Sequence, residues 1–108
     1  MYPKGYSGSC TTSGQTDVFA RWLQSLRDAR AKARILARIA SARLGNLGDA
    51  KSVGSGVTEM RVHVGAGYRV YFARRGIAVI LLLCGGDKST QAKDIARAHK
   101  MLAELDQE

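Results

Sequence analysis

Between Glu59 and Arg74 the chain reads EMRVHVGAGYRVYFAR, and no other stretch restricts the fold so much. Apolar and polar residues alternate on both sides of Gly65-Ala66-Gly67, the pattern of two short strands joined by a tight turn. Strand side chains point alternately to opposite faces. Met60, Val62 and Val64 therefore share a face with Tyr68, Val70 and Phe72, and that face is the predicted core. Arg61, His63, Arg69 and Tyr71 fall on the other face. Two arginines, a histidine and a tyrosine can bind a phosphate and move a proton, which makes this second face the candidate site.

The rest of the chain supplies what the hairpin packs against. Strands are predicted over Val57 to Val64, Tyr68 to Ala73 and Ile77 to Cys84, with the second turn at Arg74-Arg75-Gly76. The third strand is apolar throughout, as a strand covered on both faces would be, and Gly85-Gly86-Asp87 is expected to break it. Upstream, Thr16 or Asp17 can cap a helix carrying Val18, Phe19, Trp22, Leu23 and Leu26 at helical spacing. After a break at Asp28 to Arg30, a second helix runs from about Ala31 to Leu44, with Ile35, Leu36, Ile39 and Ala40 turned inward. Gly45 suits the left-handed position that ends it. Lys51 to Gly56 reads as a polar loop. Ser89 or Thr90 can cap a last helix through about Leu105, with Ile95, Ala98, Leu102 and Leu105 as its inward stripe. The predicted fold is α+β: an N-terminal helical hairpin packed on a small antiparallel sheet, then a C-terminal helix. Residues 16–108 form one domain in this reading. Residues 1–15, rich in Gly, Ser and Thr, are either a ragged first strand or a disordered leader.

With 17 Lys and Arg against 9 Asp and Glu, the formal charge is +8. That balance favours a polyanionic partner, nucleic acid first, by counterion release and steering; the plainer alternative is a basic protein with an acidic protein partner. Cys10 and Cys84 do not make a disulfide framework, and a cytoplasmic location fits them. The longest apolar run, Ile77 to Cys84, is too short to span a bilayer, so no membrane partner is expected. Two histidines and two distant cysteines give no metal-ligand spacing, and neither metal nor small-molecule cofactor is expected.

Arg69 is the first candidate residue, because its planar fork suits a pair of phosphate oxygens. The plainer reading is an exposed strand arginine paired with Glu59. By parity Arg69 stands outside the apolar core, so its loss is expected to cost little stability. His63 is suited to acid–base work, whereas His99, beside Arg97 and Lys100, reads as part of a solvated face. Arg27, Arg30, Arg34 and Arg38 fall along one side of the helical hairpin, either as a phosphate-tracking stripe or as a solvated face. Lys88 and Lys93 straddle the start of the last helix, where free backbone donors favour an anion. The glycine clusters lack phosphate-loop spacing, and no serine sits in a nucleophile elbow.

Six segments, in order, resemble the HigB-like branch of the RelE/ParE toxin superfamily: FARWLQSLRD (19–28), ARILARI (33–39), GNLGD (45–49), GVTEMRVH (56–63), GYRVYF (67–72) and LCGGDKSTQ (83–91). The resemblance spans about Thr16 to Leu105. It implies the toxin of a type II toxin–antitoxin pair, with a helix-turn-helix antitoxin as partner. Relatives of the RelE type cut messenger RNA in the ribosomal A site without metal. Carried over, the arginine of the Gly-Tyr-Arg strand falls on Arg69, the basic pair of the preceding strand on Arg61 and His63, and the basic residue after the last strand on Lys88. These four are the implied catalytic set, with Arg34, Arg38, Tyr71 and Lys93 as further RNA contacts. The chain departs from the pattern in having no tyrosine after Tyr71.

The expected function is thus a ribosome-dependent endoribonuclease toxin. Two alternatives are a non-catalytic gyrase poison of the ParE type on the same fold, and an RNA-binding module without activity. The last is disfavoured because no paired aromatics stand on the polar strand face to stack bases.

Overall fold

A computed structural model describes residues 14–75 and 80–107. The elements are α1 (Asp17–Ser25), α2 (Ala29–Arg43), β1 (Ala50–Ser52), β2 (Val57–Val62), β3 (Tyr68–Arg74), β4 (Ile80–Asp87), a 3-10 turn (Lys88–Thr90) and α3 (Gln91–Asp106). The four strands form one antiparallel sheet in the order β1-β2-β3-β4. The α+β architecture is the predicted one. Most of the N-terminal segment, with Cys10, and the start of the predicted third strand at Ile77 lie outside the described residues. So does Gly76 of the second turn.

The alternation read from the hairpin fixes the first core. Met60, Val62, Val70 and Phe72 are buried with Phe19 of α1, Ile35, Ile39 and Ala42 of α2, and Ile80 and Leu82 of β4. The helical hairpin therefore covers one face of the sheet. Thr16 caps α1 by accepting from the Phe19 amide, and its hydroxyl donates to the Leu83 carbonyl at 2.7 Å, tying the helix start to β4. Asp28 caps α2, accepting from the amides of Arg30 and Ala31. At the other end, the Gly45 and Asn46 amides return to the Ala42 and Ser41 carbonyls, with Gly45 at φ +97°.

A second core lies on the opposite face, beneath α3. Tyr71, Ala73, Leu81, Leu83 and Cys84 pack there with Val57, Ala98 and Leu102. A β-bulge feeds it: Tyr71 pairs with Cys84 but Phe72 with Leu82, so Leu83 is the extra residue, and Leu83 and Cys84 both join this cluster. Burial and the nearby Asp94 carboxylate push the Cys84 thiol up to about 12.

Several expectations are corrected. The polar stretch at Lys51 contains a fourth strand, β1, which pairs with β2 at the sheet edge. Three residues with no large apolar side chain carry too little pattern to announce a strand. Gly85, Gly86 and Asp87 do not break the third predicted strand but extend it, opposite Val70, Arg69 and Tyr68. Glycine is needed there because a side chain at Gly85 would run into the Trp22 ring, and one at Gly86 into Asp94 and Thr90. Leu36 is 48% exposed and Ala40 is exposed; Ala31 and Ala42 are buried in their place. His99 is half-buried, and its Nε2 lies 2.9 Å from the Val53 carbonyl oxygen, so it fastens α3 to the loop after β1 rather than standing in solvent. Gln15 makes an isolated parallel bridge with Leu82, which adds one step of strand beside β4.

Candidate active site

Beyond the reach of α3, the second sheet face opens into a cavity of about 410 Å³. Its walls include Arg61, His63, Arg69 and Lys88, together with the Gly65-Ala66-Gly67 turn and Tyr68. These are the four residues of the implied catalytic set. Register explains the convergence. Arg61 and Arg69 are direct cross-strand partners, and Arg69 is also opposite Gly86. Gly86 carries no side chain, and Asp94 and Thr90 occupy the space one would fill. Lys88 follows in the 3-10 turn, and its amide bonds the Gly67 carbonyl at 3.2 Å, docking that turn on the hairpin. Asp87 caps the turn by accepting from the Ser89 hydroxyl and amide, and these bonds hold its carboxyl below the usual range.

Behind Arg61 and Arg69 lies a carboxylate that the sequence reading treated only as a surface partner. Glu59 is fully buried. Tyr71 Oη and Gln91 Nε2 both donate to its Oε2, at 2.9 and 2.8 Å. Arg61 Nε lies 3.5 Å from Oε1 and Arg69 Nε 3.6 Å from Oε2. Burial pushes the Glu59 carboxyl up, but the bonds from Gln91 and Tyr71 and the two guanidinium groups outweigh it, and its pKa is lowered. Burial and the adjacent Glu59 raise the Tyr71 phenol, which keeps it a donor at neutral pH.

His63 stands at the rim, its side chain 71% exposed, with Nε2 2.5 Å from Asp49 Oδ2. That bond holds the Asp49 carboxyl below its ordinary value. Arg38 arranges the pair. Its guanidinium donates to the Arg61 carbonyl at 2.6 Å and to the Leu47 carbonyl at 2.8 Å, and the Arg61 amide bonds the Asp49 carbonyl. The loop before β1 is thereby pinned against β2, with Asp49 beside His63. A second groove of about 510 Å³ shares His63 and Val64 with the cavity and is walled by Arg30 and Arg34.

Two expected RNA contacts change role. Tyr71 is not on an open face: α3 covers that part of the sheet, and the ring is core. Arg38 is half-buried and each of its terminal amino groups donates to a backbone carbonyl, so it serves as a clamp within the fold. Arg69 is only 13% exposed, so it is neither outside the packed interior nor a surface ion pair. Arg34 does face a groove that joins the cavity. Lys93 does not line the cavity; it lines another groove of about 330 Å³ with Trp22, Arg97 and Tyr68, the last of which also walls the cavity. Sequence reasoning missed Asp49 and Gln91. No local spacing marks either, since both are brought in by tertiary contacts. Glu59 carried a usable signal: its parity puts it on the same face as Arg61, two residues on.

The arrangement suits an anionic ligand with a transferable proton. It offers two guanidinium groups, a lysine and a carboxylate-held imidazole around one polar cavity. Among the described residues, no cluster of three or more His, Cys, Asp or Glu side chains is placed to hold a metal ion. No helix there is long and apolar enough to cross a membrane.

Residues 21–105 match the family model described as phage derived protein Gp49-like (DUF891). The chain belongs to the Gp49-like family. This family is associated with toxin–antitoxin modules and is related to RelE-type toxins. A Haemophilus influenzae relative, described only as an uncharacterized protein, is 50% identical over 90 residues, covering 83% of this chain and 91% of that one. No solved structure matches.

Proposed function

We propose that this Gp49-like protein is a toxin of the HigB-like kind that cuts messenger RNA on the ribosome. The observation that carries the reading is the convergence of Arg61, His63, Arg69 and Lys88 on one polar cavity. In the reaction, an RNA 2′-hydroxyl attacks the adjacent phosphorus, the P–O5′ bond breaks, and a cyclic phosphate forms. Arg69 binds the phosphate and opposes the charge that develops on its oxygens. Arg61 orients the backbone. His63, held by Asp49, takes the 2′-hydroxyl proton or supplies one to O5′. Lys88 offsets charge on the phosphate or the leaving oxygen. No step uses a metal. Arg34 and Arg30, in the adjoining groove, hold the neighbouring phosphates of the strand. The partner is a helix-turn-helix antitoxin that covers this basic surface, and the working location is the cytoplasm.

The test is induction of the chain alone, followed by primer extension on cellular transcripts. The expected result is growth arrest with new 5′ ends inside translated frames, abolished in His63→Ala. Arrest with intact messages and damaged chromosomes would replace this reading with gyrase poisoning.

A further inference from the structure

We propose that Glu59 is a positioning residue: its buried carboxylate holds the Nε edges of Arg61 and Arg69 and so aims both guanidinium groups at a phosphate in the cavity. Three features carry this. First, Arg61 and Arg69 are direct cross-strand partners, an arrangement in which like charges repel. A carboxylate placed between them, 3.5 and 3.6 Å from the two Nε atoms, offsets that repulsion. Second, Glu59 cannot swing away. It is fully buried, and Tyr71 and Gln91, from β3 and α3, both donate to Oε2. Third, the engagement is one-sided. Both arginines wall the cavity, and none of their terminal amino groups makes a hydrogen bond to a described residue. Each Nε thus faces the carboxylate as an ion pair, without a hydrogen bond to it, and the fork stays free; the fork is the part that grips two oxygens of a phosphate.

Glu59 would touch neither substrate nor a reacting atom. Its effect passes through the arginines, and its charge makes the idea separable from plain electrostatics. Glu59→Gln removes a negative charge from behind the arginines, so charge alone predicts phosphate binding as tight as before or tighter. Lost aim predicts a slower reaction instead.

The experiment uses the full chain with its arginine side chains isotopically labelled. The Nε–Hε resonances of Arg61 and Arg69 are followed by NMR while inorganic phosphate is added. The cleavage of ribosome-bound message is measured in parallel. In the unaltered protein the two resonances should stand apart from those of exposed arginines and move with phosphate. In Glu59→Gln they should collapse towards the exposed group. The accompanying kcat should fall by roughly tenfold or more, with KM unchanged or lower. In an Arg69→Ala background, where only Arg61 is left to aim, Glu59→Gln should add clearly less than its loss in the unaltered protein, as expected for groups acting as a unit. Resonances indifferent to Glu59→Gln, or a full further loss in that background, would overturn the proposal. Should Glu59→Gln not fold, Tyr71→Phe removes one of the two anchoring donors and keeps the charge. Its Arg61 and Arg69 resonances should shift part of the way, and unchanged resonances would count as refutation. The cleavage arm rests on the nuclease reading. Unaltered protein that cuts no message would sink that reading, while the resonances and their response to phosphate still judge Glu59.

Discussion

Tyr71 and Arg69 sit two residues apart on β3 and point to the same side of the sheet, yet they meet opposite surroundings. Around Tyr71 the face is roofed by α3 and filled with Leu83, Cys84, Ala98 and Leu102. Around Arg69 the roof ends, and the face is a polar cavity with Arg61, His63 and Lys88 on its walls. Glu59 lies at the seam, taking a hydrogen bond from the roofed side and facing a guanidinium on the open side. One strand face thus serves as core at one end and as candidate site at the other. The difference comes from what covers each end, since the alternation is the same throughout. The roofed end also anchors the open one, because the phenol that is buried as core is also what fixes the carboxylate behind the arginines.

The largest expected effect belongs to the roofed end. Tyr71→Ala should lower stability by about 3–5 kcal/mol, because it opens a cavity under α3 and removes a donor from Glu59. Thermal unfolding measures it, and a loss below about 1 kcal/mol would break the distinction between the two ends.

Arg69→Ala tests the seam and should show both kinds of damage. On the proposed nuclease reading, cleavage should slow by roughly 10²-fold or more, because a donor group that opposes transition-state charge is lost. Stability should also drop by roughly 1–3 kcal/mol, because Glu59 stays buried with one guanidinium fewer. Lysine should restore part of the stability and little of the rate, since it lacks the two-donor fork. An Arg69→Ala protein as stable as the parent would return Arg69 to the exposed role that parity alone suggested.

Lys88→Ala sharpens the open end. Lys88 is exposed and lines the cavity, so stability should stay within about 0.5 kcal/mol of the parent. Cleavage should slow by roughly tenfold or more if its charge faces the reacting phosphate. Equal unfolding midpoints beside unequal rates are the expected pair of readings. Equal rates would remove Lys88 from the site.

Acid gives the smallest and most graded effect. Asp49 and Glu59 are both held below their ordinary values of 3.8 and 4.5, so folding favours their charged forms. Their contribution to stability is complete above those values and is lost as pH falls through the lowered ones. Denaturant midpoints should be flat above about pH 5 and decline below it, with a shallower decline in Glu59→Gln. A decline of the same slope in that variant would show that Glu59 contributes nothing to it.

Much of this was legible beforehand. The alternation from Met60 to Phe72 named the residues of the first core, since a strand has only two faces and one must exclude water. Thr16, Gly45 and the stripe through Ala98 and Leu102 marked helix ends and an inward face, because caps and helical periodicity are local properties. The same parity, with the family resemblance, gathered Arg61, His63, Arg69 and Lys88. What the sequence could not decide is where the roof ends. The docking of α3 set it, and that docking depends on the bulge at Leu83, on the bare backbone of Gly86 against Asp94, and on Gln91 reaching Glu59. These are contacts between residues far apart in the chain. They turned Tyr71 from a surface tyrosine into core, and Glu59 from a surface partner into a buried anion. In the same way Arg38 became the clamp that brings Asp49 to His63. Alternation assigns a side chain to a face, and only the packing of distant elements determines whether that face meets protein or water.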